Sequence, residues 1–244
     1  MKSTLKLMLA IALAVYTNVA SSQMVVEEVV VTGIRGSDTE LPGVVYKRRA
    51  DFLLLEIKVV NDSRDEETRV KEIVKTLKNA IAVAKKEKDI QLSIIKDGFV
   101  LPLESVDESI KVGSGQRPDT SEIEIRAKTV ITDNTNNPEK LLSKLNTFAD
   151  SVPVEGRTEL ISYDEADVSV VNPHQYRSNI IALVAEDVKN TTSALGSDYR
   201  VLMSGLDSPV KWVRVGPVHL AMYIPYKYQI IPNNINSYFD IGEY

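Results

Sequence analysis

Residues 52–84, FLLLEIKVVNDSRDEETRVKEIVKTLKNAIAVA, carry a strand pattern that runs directly into a helix pattern. Apolar residues occupy every second position from Leu53 to Val59, with Glu56 and Lys58 between them. This alternation predicts a strand over 50–60 with one buried face. A strand followed at once by a helix indicates a mixed α and β fold.

The second half of the stretch predicts an amphipathic helix over 66–87. Ser63 and Glu66 have the spacing of a capping box, so Ser63 is expected to cap the helix. Apolar residues then recur at steps of three and four, which places them on one stripe: Val70, Ile73, Val74, Leu77, Ala80, Ile81 and Ala84.

Two more helices are predicted from an asparagine followed by a proline, which favours a helix start. Asn137-Pro138 opens a helix whose buried side is Leu141, Leu142, Leu145 and Phe148. Asn172-Pro173 opens a helix over 173–195 that Gly196 ends. Strands are predicted at 29–31, 90–95, 99–101, 122–130, 158–163, 199–203, 210–215 and 218–231.

Two of these strands have informative faces. In 122–130, Ile123, Ile125 and Ala127 are expected inward, while the alternating charged residues face solvent: Glu122, Glu124, Arg126 and Lys128. In 218–231, every second residue is apolar, although Pro225 favours an edge position or a bulge.

The predicted fold class is α+β, with mostly antiparallel sheets and amphipathic helices packed on one face, built from repeated strand–helix–strand units. Residues 1–22 are assigned to a signal peptide and 23–43 to a strand and a turn-rich segment. Residues 44–231 form the main domain, with lobes expected at 44–112 and 119–231, and 232–244 form a tail.

The first residues have the layout of a secretory signal peptide. Lys2 and Lys6 precede an apolar run over 7–15, and Ala20-Ser21-Ser22 supplies small residues for cleavage after Ser22 or after Ala20. An uncleaved anchor is the alternative, but a membrane span needs roughly 20 apolar residues. The mature chain is therefore expected in the periplasm, with no transmembrane span.

The amino-acid composition of the chain limits the kinds of site and partner that we expect. The chain has no cysteine, so it has neither disulfides nor thiolate metal sites. Cleavage removes Lys2 and Lys6 from the 29 basic residues and leaves 27 against 34 acidic ones, so the net charge changes from −5 to −7. A chain with this balance is not expected to bind nucleic acid or an anionic membrane surface.

The order of elements resembles a known family. A short strand ending in Val31-Thr32-Gly33, the helix at 66–87, the helix at 173–195 with its Leu195-Gly196 stop, and the closing strands are similar to SIMPL-domain proteins, also called DUF541. The likeness covers most of residues 29–231. It implies a periplasmic or outer-membrane-associated α+β protein that forms ring-like oligomers and has no agreed enzymatic activity. Separately, residues 27–36 resemble the segment that opens the plug of TonB-dependent receptors, which supports a Gram-negative envelope protein.

No catalytic, cofactor or metal site is assigned. His174 and His219 lack metal-ligand spacing, and they are interpreted as surface or interface residues. Asp164, Glu165 and Asp167 are interpreted as a solvated acidic turn, since the glycine and distal glutamate of a calcium loop are missing. Gly113-Ser114-Gly115 is interpreted as a flexible turn.

Aromatic residues near the end of the chain are the candidate interface. Tyrosine and tryptophan are enriched where proteins meet, and the predicted closing strands carry four of them: Trp212, Tyr223, Tyr226 and Tyr228. A sheet face covered by the protein's own helices is the alternative.

The leading hypothesis is an exported, non-enzymatic envelope protein that acts as a homo-oligomer or by binding another envelope protein, without a cofactor. Two alternatives stay open. One is a periplasmic hydrolase with a dispersed site, and the other is a small-ligand carrier with a groove beside the aromatic strands.

Overall fold

The computed structural model describes residues 27–31, 41–96, 99–135, 137–163 and 165–235. Within these ranges it has three α-helices and thirteen strands in antiparallel sheets, so the predicted α+β class is confirmed. The predicted signal peptide and positions 236–244 of the predicted tail lie outside the described residues.

The helices are α1 (Glu66–Lys86), α2 (Pro138–Ser151) and α3 (Arg177–Leu195), and a 3-10 helix, Pro173–Tyr176, precedes α3. The strands are β1 (Glu28–Val31), β2 (Tyr46–Arg49), β3 (Phe52–Asn61), β4 (Gln91–Lys96), β5 (Phe99–Pro102), β6 (Gly113–Ser114), β7 (Ser121–Val130), β8 (Thr158–Ser162), β9 (Asp167–Val171), β10 (Tyr199–Ser204), β11 (Lys211–Arg214), β12 (His219–Tyr223) and β13 (Lys227–Pro232).

The main sheet has the strand order β1-β9-β3-β7-β4-β5, and β8 and β6 pair with β3 and β7. Its central pair is β3 and β7, which run antiparallel over ten residues. Strand β1 at one end of this order contacts β5 at the other, so the sheet curls until its end strands touch. The sheet combines strands from both of the predicted lobes.

Helices α1 and α2 cover one face of the main sheet. Leu55 and Ile57 of β3 lie beside Ala127 and Ile125 of β7, and all four side chains are almost fully buried. Helix α1 adds eight buried residues, among them Leu77. Six of the seven residues of the predicted α1 stripe are among them and Val70 is half-buried, so the stripe is confirmed except at Val70. This layer is the main hydrophobic core.

The start of α1 differs from the prediction. Asp65 caps the helix, because its carboxylate accepts a hydrogen bond of 2.8 Å from the Thr68 backbone N–H. The Ser63 hydroxyl instead donates to the Glu72 carboxylate at 2.7 Å. The assignment of Ser63 as the cap was wrong because Asp65, two residues later, has the extended backbone that a capping residue needs.

The two asparagine–proline pairs behave differently. Asn137 caps α2 as predicted, with its side-chain oxygen accepting from the Glu139 N–H at 2.9 Å. Asn172 has a φ of 46° and makes no side-chain capping bond, so its assignment as the cap was wrong. The helix does begin at Pro173 as predicted, but its first turn is a 3-10 helix that continues into α3. The Asn172 backbone N–H donates to the Glu27 carbonyl at 2.6 Å, which holds this residue at the end of the β1–β9 ladder.

The predicted strand over 218–231 is two strands in two sheets. Strand β12 lies between β11 and β2, whereas β13 pairs with β10. The chain leaves one sheet at residues 224–226 because Pro225 has no N–H to continue a ladder. The predicted tail also begins too early, since Pro232 pairs with Tyr199.

Several short segments were missed or misread. Strands β2 and β9 were not predicted, because Tyr46-Lys47-Arg48-Arg49 has no apolar alternation and Asp167–Val171 is short. Gly113-Ser114 is β6, which pairs with β7, so the interpretation of this segment as a flexible turn was wrong.

Candidate functional site

The face of the main sheet opposite α1 and α2 carries a buried charged cluster. The prediction that Arg126 and Lys128 face solvent was wrong, because their side chains are only 9% and 10% exposed. The curl of the sheet brings charged side chains from neighbouring strands over this face. Alternation showed that these residues share a face, but the curl that buries them depends on contacts between distant strands.

Arg126 binds two carboxylates through one nitrogen. Its Nη2 donates to Glu56 Oε2 at 3.1 Å and to Glu124 Oε1 at 3.0 Å. Burial raises the pKa of the Glu124 carboxyl, the nearby Glu56 carboxylate raises it further, and Arg126 opposes both effects. The arrangement holds two carboxyl groups close together on one guanidinium.

Lys128 joins the first strand to the centre of the sheet. Its Nζ lies 2.5 Å from Glu28 Oε2 and 4.4 Å from the centre of the Phe52 ring. The Ser169 hydroxyl donates to Glu28 Oε1 at 2.7 Å. Because Glu28 is on β1 and Lys128 is on β7, this ion pair crosses the concave face and stabilises the curl.

The four predicted interface aromatics are not on one surface: Trp212 and Tyr223 lie on the β11–β12 pair, Tyr228 lies on β13, and Tyr226 lies in the connection before β13. Trp212 pairs in register with Met222 on β12, so Tyr223, the next residue, points to the opposite face from Trp212. Trp212 and Tyr226 pack against the core, and Tyr223 is half-buried. Tyr228 is the one of the four that is exposed.

Tyr226 links α3 to the last strand. Its ring stacks on Tyr228 with the centroids 6.2 Å apart. Burial raises the pKa of the Tyr226 hydroxyl, and the negative charge of Asp187 on α3 raises it further. Tyr226 therefore belongs to the packing of α3 and not to an open surface.

Strands β10 and β13 expose a continuous apolar face. In their register Val201 lies opposite Ile230 and Met203 opposite Tyr228. With Tyr199, these residues form one face of the strand pair, which we call the C-terminal apolar face. Tyr199, Met203, Tyr228 and Ile230 are 39–41% exposed, whereas Ile231 on the opposite face is buried.

Helix α3 and the β10–β13 strand pair bury few of their apolar side chains. Only Ile180 and Val184 of α3 are buried, while Leu183 and Leu195 are 36% and 42% exposed. The β10–β13 sheet has two strands, and α3 contacts β10. This part of the chain therefore presents apolar surface that the described residues do not cover.

The other predicted residues are dispersed. His174 is exposed in the 3-10 helix and His219 is exposed on β12 opposite Arg49. Glu165 is exposed, Asp167 begins β9, and Asp164 lies outside the described residues. Within the described ranges, no three His, Cys, Asp or Glu side chains gather closely enough to hold a metal ion.

No helix among the described residues is long and apolar enough to cross a membrane. Comparisons with known protein families, with characterised proteins and with solved structures find no match to this chain. The site therefore has to be interpreted from its own chemistry.

Sequence reasoning found only part of the C-terminal apolar face, since it named Tyr228 as a candidate interface residue but not the residues of β10. Tyr199, Val201 and Met203 alternate, as do Tyr228 and Ile230. Alternation alone shows that residues share a face, but it does not show whether a helix covers that face. The pairing of β10 with β13, far apart in sequence, decides this.

Proposed function

We propose that this chain is an exported cell-envelope protein of the SIMPL-like type that acts by assembling with copies of itself and not by catalysis. The observation that carries the proposal is the C-terminal apolar face on β10 and β13. Contiguous apolar surface on a folded protein commonly marks the place where a partner binds.

The composition of the face favours a protein partner. Tyr199, Tyr228 and Met203 belong to residue types that are enriched at protein interfaces. A two-stranded sheet is only marginally stable by itself in water, and here α3 lies against one strand of the pair. Burial of the opposite face in an interface would therefore stabilise the strand pair as well as the assembly.

A second copy is the partner that fits best. None of the five residues on the face is charged, so the face offers no charge pattern that would select a different partner. Most soluble oligomers are closed and symmetric, with the same patch used on both subunits. The resemblance to SIMPL-domain proteins also implies assembly with copies of the same chain, although in a ring-like oligomer this face would contact a different patch of the next subunit.

Export rests on the first 22 residues. Their basic start, apolar run and small-residue end predict a leader that is removed. The mass of the mature chain recovered from a periplasmic fraction should correspond to a start at residue 21 or 23. Recovery of the uncleaved chain from the cytosol would contradict export without bearing on assembly.

Thiol cross-linking tests the assembly. Because the chain has no cysteine, Met203→Cys introduces a single thiol on the C-terminal apolar face. Gln229→Cys is the matched control, since Gln229 is exposed on the opposite face of β13. With a short bismaleimide, Met203→Cys should form covalent oligomers and Gln229→Cys should remain monomeric. Equal cross-linking of both variants, or of neither, would contradict the proposed interface.

A further inference from the structure

The charged cluster of the main sheet holds more carboxylates than cations. Where β3 pairs with β7, five charged side chains share the face opposite α1 and α2: Glu56, Lys58, Glu122, Glu124 and Arg126. The Lys58 ammonium lies 3.5 Å from Glu122 Oε1, so these two charges balance. Arg126 then serves both Glu56 and Glu124, and one of these carboxylates lacks a cation of its own.

Among the described residues, the neighbouring strands do not supply the missing positive charge. The ionisable side chains that approach this face from them are Glu28 on β1, Lys128 on β7, Glu159 on β8, Tyr163 directly after β8 and Asp167 on β9. Lys128 is the cation among them, and it is paired with Glu28. Tyr163 contacts Lys58, and the charge of Asp167 acts on Arg214 of β11. On β4, Ser93 lies opposite Arg126 and is uncharged.

The geometry at Arg126 brings the two carboxylates together. Its Nη2 makes both contacts, at 3.1 Å from Glu56 and 3.0 Å from Glu124, so each carboxylate receives one hydrogen bond from the same nitrogen. The Arg126 Nε is buried and meets no hydrogen-bond partner among the described residues. Two like charges held this closely repel each other, and in such a site one carboxyl group keeps its proton to a higher pH.

The surroundings of Glu124 act in the same direction. Burial raises the pKa of its carboxyl most, and the charge of Glu56 and a hydrogen bond between the two carboxyl groups raise it further, while Arg126 and Lys58 lower it. An ionised carboxylate can only accept hydrogen bonds, so this contact requires a proton on one of the two groups.

We propose that Glu56 and Glu124 are a proton-binding pair, in which one proton held between the two carboxyl groups makes up the positive charge that the cluster lacks. The protonated carboxyl donates to the other carboxylate, and both still accept from Arg126 Nη2. Because the pair lies in the middle of the β3–β7 ladder, the proton strengthens the centre of the main sheet. The pair uses no residue of the C-terminal apolar face, so it is independent of the assembly.

Urea unfolding of Glu124→Gln tests the effect on stability. A raised folded-state pKa gives stability that is fully present below the unfolded pKa and is lost as the pH rises through the folded value. The uncharged glutamine imitates the protonated carboxyl, so at neutral pH the variant should unfold at a higher urea concentration than the natural chain. This gain should shrink as the pH falls below 4.5, the ordinary pKa of a glutamate.

Glu159→Gln is the matched control, because it removes an exposed carboxylate from the same face. Its unfolding midpoint should stay close to that of the natural chain at both pH values. A Glu124→Gln variant that is no more stable than the natural chain at neutral pH would overturn the proposal. An equal gain in Glu159→Gln would also overturn it, since the effect would then come from net charge alone.

Carbon NMR of the side-chain carboxyl groups measures the proton directly and needs no substitution for its first result. In the natural chain, the Glu124 carboxyl should titrate above pH 4.5. In Glu56→Gln, this titration should move down toward the ordinary value, because the two groups of an interacting pair titrate together. Titration of Glu124 at or below pH 4.5 in the natural chain would overturn the proposal. An unchanged titration in Glu56→Gln would show that burial alone holds the proton and would overturn the pair.

Discussion

Helices α1 and α3 have similar lengths, 21 and 19 residues, but very different surroundings. Helix α1 buries eight residues against the eight-stranded sheet and α2. Helix α3 buries two residues and contacts β2, β10 and the 3-10 helix. The difference lies in what each helix packs against, since both carry apolar residues at helical spacing.

The comparison shows that the first part of the chain buries most of its apolar residues, whereas in the second part several apolar residues that share one face are exposed. In the layer of α1, α2 and the main sheet, most apolar residues are buried, although Ile95, Val130 and Ile161 are 44–47% exposed, and Arg126 and Lys128 pair with carboxylates. In the layer of α3, β10 and β13, large apolar residues remain exposed. The first layer should therefore determine the stability of the monomer, and the second should determine assembly.

The largest effect on monomer stability is expected from breaking the buried ion pair of the main sheet. Lys128→Ala leaves the Glu28 carboxylate, whose side chain is 10% exposed, without its cation. Loss of one partner of a buried pair costs about 3–5 kcal/mol. Urea unfolding measures this change, and Lys71→Ala is the control because its pair with Glu67 is exposed. A similar effect of the two substitutions would mean that the pair does not stabilise the curl.

The next effect compares the two helices directly. Leu77→Ala in α1 removes a fully buried side chain and should lower the free energy of unfolding by about 2–5 kcal/mol. Leu183→Ala in α3 removes a side chain that is 36% exposed, so its effect in the monomer should be smaller, about 1–2 kcal/mol. Thermal unfolding in dilute solution is the measurement. An equal loss in both variants would remove the distinction between the layers.

The sequence predicts the features of these layers that depend on local spacing better than those that depend on distant contacts. Local spacing predicts the α1 stripe, the Asn137-Pro138 start of α2, and the buried faces of β3 and β7. The stripe and the two strand faces can be predicted because each packs against a large apolar surface. The 3-10 helix at Pro173–Tyr176 and the burial of Arg126 depend on hydrogen bonds and on curvature set by residues far away in the chain. The cap at Asp65 is a local hydrogen bond to Thr68 that the capping-box spacing of Ser63 did not indicate. The exposed β10–β13 face could not be recognised, because spacing does not reveal which of two faces is covered.

A smaller effect is expected where the first layer places a glycine in a left-handed conformation. Gly156 has a φ of +58°, and an added Cβ would lie 2.1 Å from the Glu72 carboxyl carbon. Gly156→Ala should therefore cost about 1–2 kcal/mol for the backbone conformation, plus the contacts that Glu72 loses. Gly43→Ala is the control, because a Cβ there meets nothing within 4 Å. Chemical unfolding of both variants should separate them, and equal stability would contradict the strain at Gly156.

The smallest effect is a pH dependence within the same layer. Hydrogen bonds from Asn61, Ser63 and the Arg157 backbone N–H lower the pKa of the Glu72 carboxyl, with Asn61 contributing most. A lowered folded-state pKa gives stability that is present above the unfolded pKa and is lost as the pH falls through the folded value.

Glu72→Gln should therefore be less stable than the natural chain at neutral pH. The difference should be under about 1 kcal/mol, because solvent screens this carboxylate. It should shrink below pH 4.5, the ordinary pKa of a glutamate. Unfolding curves at neutral pH and at pH 3 measure the difference, and a gap that widened on acidification would contradict the assignment.

Sedimentation equilibrium of the mature chain tests the central claim most directly, because it measures mass without a cross-linker. The natural chain should be larger than a monomer at micromolar concentration. Met203→Glu, which places a charge on the C-terminal apolar face, should be a folded monomer, and Gln229→Glu on the opposite face of β13 should assemble like the natural chain. A natural chain that is monomeric at every concentration, or a Met203→Glu variant that assembles unchanged, would contradict the account.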